Sequence, residues 1–168
     1  EWKGIQTWDC ENPNLYTLKL ELINPQKQIV HIHEERIGFR TIEFRPKDGI
    51  YVNGTKIIVK GTNRHSFHPD GGRTTNRELS LQDALLIKEM NMNAVRSHYP
   101  PDKHFLEICD SLGIFYLNEL AGWQNSYDTE TGLKLLSEMI NRDVNHPCIF
   151  MWSNGNEGGW NKNIDAHF

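Results

Sequence analysis

Apolar and polar residues alternate from Leu15 to Leu22, with Leu15, Leu18, Leu20 and Leu22 set against Thr17, Lys19 and Glu21. That two-residue period predicts a half-buried antiparallel strand. Asn24-Pro25-Gln26-Lys27 reads as a turn, Gln28 to Ile32 as a second strand, and Glu34 to about Phe44 as a third. Three strands cannot close a sandwich core alone, so 1–45 is expected to be the last strands of a β-sandwich.

The pattern changes after the polar run Arg45-Pro46-Lys47-Asp48-Gly49, which is expected to be a domain boundary. Ile50-Tyr51-Val52 and Lys56 to Lys60 flank Asn53-Gly54, a hairpin signal because both turn positions favour positive φ. Beyond it the period becomes helical. Ser80 is expected to cap a helix whose stripe is Leu81, Ala84, Leu85, Ile87 and Met90. A strand at Asn93 to Arg96 follows, then a helix from Pro101 closed by Gly113, then the strand Ile114 to Leu117. A helix from about Gly132 to Val144 stops at Asn145-His146-Pro147 and leads into the run from Cys148 to Ser153.

Counted from Ile57, short apolar strands alternate with helices, as in parallel βα units. A doubly wound sheet and a barrel both fit that order. Polar clusters end every strand instead of gathering at one switch point, which favours the barrel. The expected architecture is α/β: the first half of a (β/α)8 TIM barrel over 46–168, preceded over 1–45 by the last strands of an immunoglobulin-like β-sandwich. The chain is expected to be a fragment of a longer protein.

Composition narrows the partners. With 38% hydrophobic residues, 24% charged residues and a net charge of −4, nucleic acid is not an expected partner. No apolar run approaches the roughly 18 residues of a membrane span, so no membrane is expected either. The three cysteines, Cys10, Cys109 and Cys148, form no Cys-x-x-Cys pair and read as buried free thiols.

Chemistry concentrates at the predicted strand ends. Glu157 ends the Cys148–Ser153 run at a glycine-flanked tip, before Gly158-Gly159. A carboxyl group part-buried there would have its charged form disfavoured, which suits a general acid. Asn156 beside it offers a donor to a sugar hydroxyl. His65 and His98 end the first two barrel strands and His68 lies near them; they fit either a metal site or hydrogen bonds to a polyhydroxylated ligand. Glu119, ending the third strand, fits a cation ligand or a group that positions another side chain. Trp123 and Trp160 offer faces to a sugar ring, or pack.

Several runs together resemble a known family: Glu11-Asn12-Pro13-Asn14-Leu15-Tyr16, Gly38-Phe39-Arg40, Val52-Asn53-Gly54, Gly61-Thr62-Asn63-Arg64-His65, Ser97-His98-Tyr99-Pro100, Asn145-His146-Pro147 and Trp152-Ser153-Asn154-Gly155-Asn156-Glu157. In this order they are similar to glycoside hydrolase family 2, the β-galactosidase-like group. The resemblance implies a sandwich followed by a barrel, and retaining hydrolysis of β-glycosides. It implies Glu157 as the catalytic acid/base, with Asn156, His65 and His98 binding a carbohydrate substrate. It places the nucleophile on a seventh strand, beyond Phe168, so the fragment alone is expected to be inactive. Asn63 to Pro69 is closer to the galactosidase branch, with β-glucuronidase, β-mannosidase and a non-catalytic carbohydrate-binding derivative as alternatives. A homo-oligomer of the full-length parent is compatible with it.

Two departures stand out. The family usually carries one more residue between Arg96 and Ser97, and a one-residue slip reverses the face a strand residue occupies, which bears on the pairing of Arg96 with His98. The Glu-x-His magnesium ligands of some members are absent from Asn118-Glu119-Leu120-Ala121-Gly122. No metal and no cofactor is expected. A metal-dependent hydrolase using His65, His68 and Glu119 is a further alternative.

Overall fold

The computed structural model describes residues 3–157 and 161–165. Three sheets follow one another along the chain. β1 (Tyr16–Ile23) and β2 (Ile29–Ile37) form an antiparallel pair; β3 (Ile42–Arg45), β4 (Gly49–Val52) and β5 (Thr55–Ile57) form a second antiparallel sheet. β6 (Gly61–Asn63), β7 (Ala94–Arg96), β8 (Phe115–Glu119) and β9 (Ile149–Ser153) form a parallel sheet in sequential order. Between its strands lie α1 (Arg77–Glu89), α2 (Lys103–Leu112) and α3 (Thr129–Asp143), and α4 (Lys162–Asp165) follows β9. Parallel strands in sequence order joined by helices are the wall of an α/β barrel, as the spacing predicts.

Local chemistry sets the element ends. Asn76 caps α1, its side chain accepting from the Leu79 amide at 2.9 Å, and Asp128 caps α3 through the Thr131 amide at 2.9 Å. Ser80, expected as the first cap, is instead buried inside α1. Gly113 ends α2 at φ 67, and a Cβ there would sit 2.4 Å from the Cys10 carbonyl oxygen, so glycine is required twice over.

Two further expectations are corrected. Ile29–Ile37 is one continuous strand, not two. The apolar run after Asn53-Gly54 splits: Thr55–Ile57 closes the hairpin with β4, and the first parallel strand begins at Gly61. Hydrophobic pattern alone could not separate them, because Ile58 and Val59 are apolar yet exposed between the two. The residues Arg45 to Gly49 form the turn of the β3–β4 hairpin, with Arg45 paired to Gly49.

The core lies between the parallel sheet and its helices, and reaches the N-terminal segment through Trp8. Trp8 is fully buried, edge-on to Phe115 at 5.5 Å, and its indole N–H donates to the Asp110 carbonyl at 2.8 Å. Arg40 donates from Nε to the Pro147 carbonyl at 2.5 Å and from Nη2 to the Ile149 carbonyl. Beneath this seam the buried His146 meets Asp110 at 2.6 Å, whose other oxygen accepts from the Cys148 amide at 3.1 Å. Gly38-Phe39-Arg40 and Asn145-His146-Pro147 therefore join the segment before the barrel to the start of β9. Leu20, Leu22 and Ile32 on the β1–β2 pair are exposed, since no second sheet covers them among the described residues. No helix among the described residues is long and apolar enough to cross a membrane.

Candidate active site

Every second residue of a barrel strand faces the interior. On β7 and β8 that rule places Arg96 and Glu119 on the concave side, and Tyr116 and Asn118 on the helix side. Tyr116 accordingly packs on Phe105 of α2 at 6.0 Å and bonds Ser97 through its hydroxyl, whose pKa burial pushes up. Asn118 donates to Asp143 of α3 at 2.8 Å. These outward contacts hold the strands whose C-terminal ends carry the site.

At those ends the loops enclose a cleft of about 550 Å³ lined by His65, Arg73, His98, Tyr99, Ala121, Gly122, Trp123, Asn156 and Glu157. Its size fits a small ligand such as a sugar. His65, His98, Asn156 and Glu157, singled out from sequence, thus line one cleft, with Trp123 among them. Gly158, Gly159 and Trp160 lie outside the described residues.

The loop after β6 is braced from below. Arg64 is buried, its Nε donating to Asp83 of α1 at 2.8 Å and its guanidinium lying 4.0 Å from the centre of the Phe105 ring. That anchor carries His65 to the cleft, where its ring stacks on His98 with centroids 5.0 Å apart. Tyr99 supports the pair: its hydroxyl accepts from the Ser66 amide at 3.0 Å and lies 3.4 Å from His65 Nδ1. Arg73 lies over the Tyr99 ring at 4.6 Å. His68 instead pairs with Gly72 inside its own loop.

Asn156 is fixed on three sides. Its amide donates to the Gly122 carbonyl at 2.9 Å, its carbonyl accepts from the Gln124 amide at 3.3 Å, and its Oδ1 accepts from Arg96 Nη2 at 2.9 Å. Arg96 and His98 both face the site, Arg96 Nη2 lying 2.8 Å and His98 Nδ1 3.5 Å from the Glu119 carboxylate, so the shorter link after Arg96 does not turn them apart.

Glu157 adopts φ 46, a region that L residues other than asparagine and aspartate seldom enter. Strain of this kind costs on the order of 1–3 kcal/mol and gathers where function demands a side-chain position. Trp123 Nε1 donates to Glu157 Oε2 at 3.1 Å. Glu157 is exposed, not part-buried as expected, because its described contacts come from one side, the loop after β8.

Glu119 is almost fully buried, and both its oxygens accept from Arg96. With Glu119 so engaged and His68 in its own loop, the metal arrangement of His65, His68 and Glu119 does not form, and no cluster of three or more ligating side chains exists among the described residues. Arg73 and the contact between Arg96 and Asn156 were not foreseen from the sequence. A polar residue ending an apolar strand, the criterion that drew attention to Glu119, marks Arg96 as well; nothing local marks Arg73.

Comparison with known proteins bears on this site. The model of "Glycosyl hydrolases family 2, TIM barrel domain" matches residues 43–168, and that of "Glycosyl hydrolases family 2" matches 2–40. A β-galactosidase of Thermoanaerobacterium thermosulfurigenes is 42% identical over 156 residues, covering 89% of this chain and 21% of that protein. A putative β-glucuronidase of Formosa agariphila is 37% identical over 163 residues, covering 94% and 20%. Among solved structures, a family 2 β-galacturonidase from Eisenbergiella tayi bound to galacturonate superposes with TM-score 0.88 at 31% identity, covering 94% of this chain and 29% of that one. The Parabacteroides merdae β-glucuronidase gives TM-score 0.85 at 31% identity, covering 92% and 20%. The chain spans about a fifth of the length of the curated relatives it matches.

Proposed function

The chain belongs to glycosyl hydrolase family 2, and from that premise we propose that it carries the proton-donating half of a retaining β-glycosidase, with Glu157 as general acid/base. The observation that supports this most is the single cleft that gathers Glu157, Asn156, His65 and His98.

Retaining hydrolysis uses two carboxyl groups about 5 to 5.5 Å apart. In the first step the Glu157 acid protonates the glycosidic oxygen as the C–O bond breaks, while the second carboxylate attacks the anomeric carbon and forms a glycosyl ester. In the second step the Glu157 carboxylate takes a proton from water, whose oxygen attacks that carbon and releases the sugar and the nucleophile. Trp123 engages Oε2 of Glu157, which leaves Oε1 to carry the proton. Among the described residues that line the cleft, Glu157 is the one carboxylate. Since the chain spans about a fifth of its relatives' length, the proposal takes the second carboxylate from the rest of such a protein, and the 168 residues alone are expected to have no glycosidase activity.

For the whole protein we favour β-galactosidase, on the loop from Asn63 to Pro69 and on the Thermoanaerobacterium relative. A uronide-cleaving reading is the second choice. It draws on Arg73, a cation on the cleft wall able to meet a sugar carboxylate, and on the relatives named for glucuronides and galacturonides. The deciding experiment is a screen of nitrophenyl β-galactoside, β-glucuronide and β-mannoside with the full-length protein. Preferential turnover of the galactoside is expected. Turnover of the glucuronide alone would reject the galactosidase choice, and sugar binding with no turnover would reject the enzyme.

A further inference from the structure

Glu119 is a buried carboxylate that the proposed chemistry leaves unused. Its side chain is 1% exposed, so its charge has to be met inside the protein. Arg96 meets it with two parallel bonds, Nε to Oε2 at 2.9 Å and Nη2 to Oε1 at 2.9 Å. The same Nη2 donates to Asn156 Oδ1 at 2.9 Å, and Nη1 reaches Asn63 Oδ1 at 3.4 Å. His98 completes the group, its Nδ1 3.5 Å from Glu119 Oε1.

A guanidinium has donors and no acceptor, so the Asn156 atom that faces it is the oxygen. The amide nitrogen is thereby turned the other way, where it can donate. A planar fork held on two carboxylate oxygens cannot rotate, whereas a lysine at the same place could. The register of β7 on β8 is already set by their backbone, with Arg96 opposite Leu117. A buried ion pair is also a weak source of stability by itself. What the pair adds is a fixed donor pointed at the cleft wall.

We infer that Glu119 and Arg96 are positioning residues that act together as a bracket, setting the Asn156 amide so that Nδ2 donates to a hydroxyl of the bound sugar. Glu119 touches no substrate and works through Arg96. The inference rests on the β-glycosidase reading of the cleft.

A double-mutant cycle on the full-length protein tests it, with kcat/KM on an aryl β-glycoside measured for wild type, Glu119→Gln, Asn156→Ala and the pair. Misplacing a group at a reacting site costs on the order of 100-fold, so Glu119→Gln is expected to lower kcat/KM by about that factor. In the Asn156→Ala background the same change is expected to cost at least about ten-fold less, because the amide it orients is gone. Equal losses in both backgrounds, with melting temperatures held, would overturn the positioning role. Should Glu119→Gln fail to fold, Arg96→Lys keeps the charge and loses the fork; in the same cycle, a smaller loss in the Asn156→Ala background supports the bracket and equal losses overturn it. A wild type that cleaves none of the screened glycosides would overturn the glycosidase reading and this inference with it. An active wild type with an additive cycle overturns the inference alone.

Discussion

Gly38 sits where the segment before the barrel meets the start of β9, and it offers a clean packing experiment. A Cβ at this position would lie 2.8 Å from both Cβ and Cγ of Pro147 and 3.1 Å from Cβ of Trp8. None of these neighbours yields readily. The proline ring is rigid and its carbonyl is tied to Arg40 at 2.5 Å, while Trp8 is fully buried with its indole bonded to Asp110. Gly38 is not a residue of positive φ, so alanine adds no backbone strain and the effect is one of overpacking. Overpacking costs about 1–3 kcal/mol. With a urea m-value of about 2 kcal/mol/M, a loss of about 2 kcal/mol moves the unfolding midpoint down by about 1 M. The assay is urea unfolding of the 168-residue chain followed by far-UV circular dichroism, Gly38→Ala against wild type. A midpoint within about 0.2 M of wild type would refute the close approach at this seam.

Two other outcomes follow from burial and helix capping. Burial raises the pKa of Cys109 and Cys148 well above the usual thiol value and that of Cys10 less strongly, and Cys10 alone is part-exposed; alkylation at neutral pH should therefore modify Cys10 first and the other two only on unfolding, as read by mass spectrometry of peptides. Asp128 caps α3, and its hydrogen bonds with Thr131, the backbone bond foremost, lower its pKa. A folded pKa below the unfolded one means stability that is present above the usual carboxylate range and lost as pH falls through the folded value, so acid melting should weaken in slope for Asp128→Asn, which keeps a capping oxygen but no charge. An unchanged acid slope would count against the cap.

Some of this was legible in the residues and some was not, for physical reasons. Asn53-Gly54 announced a hairpin, and both residues indeed take positive φ, 50 and 78. Gly113 announced the end of α2 because little else tolerates φ 67. The start of α1 was misplaced because Asn76 and Ser80 are both good caps, and the polar turn Arg77-Glu78 gives no apolar signal to show that the helix has begun. Ile58 and Val59 looked like strand because apolar pattern reports burial, and here they are exposed. At the site, Glu157, Asn156, His65 and His98 stood out because they follow short apolar strands whose C-terminal ends carry the functional loops of an α/β barrel. The Arg96–Glu119 bracket joins the ends of β7 and β8 to the loop after β9, and no local pattern carries that pairing.

The central claim is that Glu157 is the proton donor of the cleft. Glu157→Gln in the full-length protein keeps the shape and removes the proton, and general acid help is worth about 10²–10⁴-fold. The direct measurement is kcat/KM of this variant on an unactivated alkyl β-glycoside and on a dinitrophenyl β-glycoside, whose leaving group needs no proton. The account predicts a loss of that size on the alkyl glycoside and a loss within about ten-fold on the dinitrophenyl one. Equal losses on both substrates would contradict it.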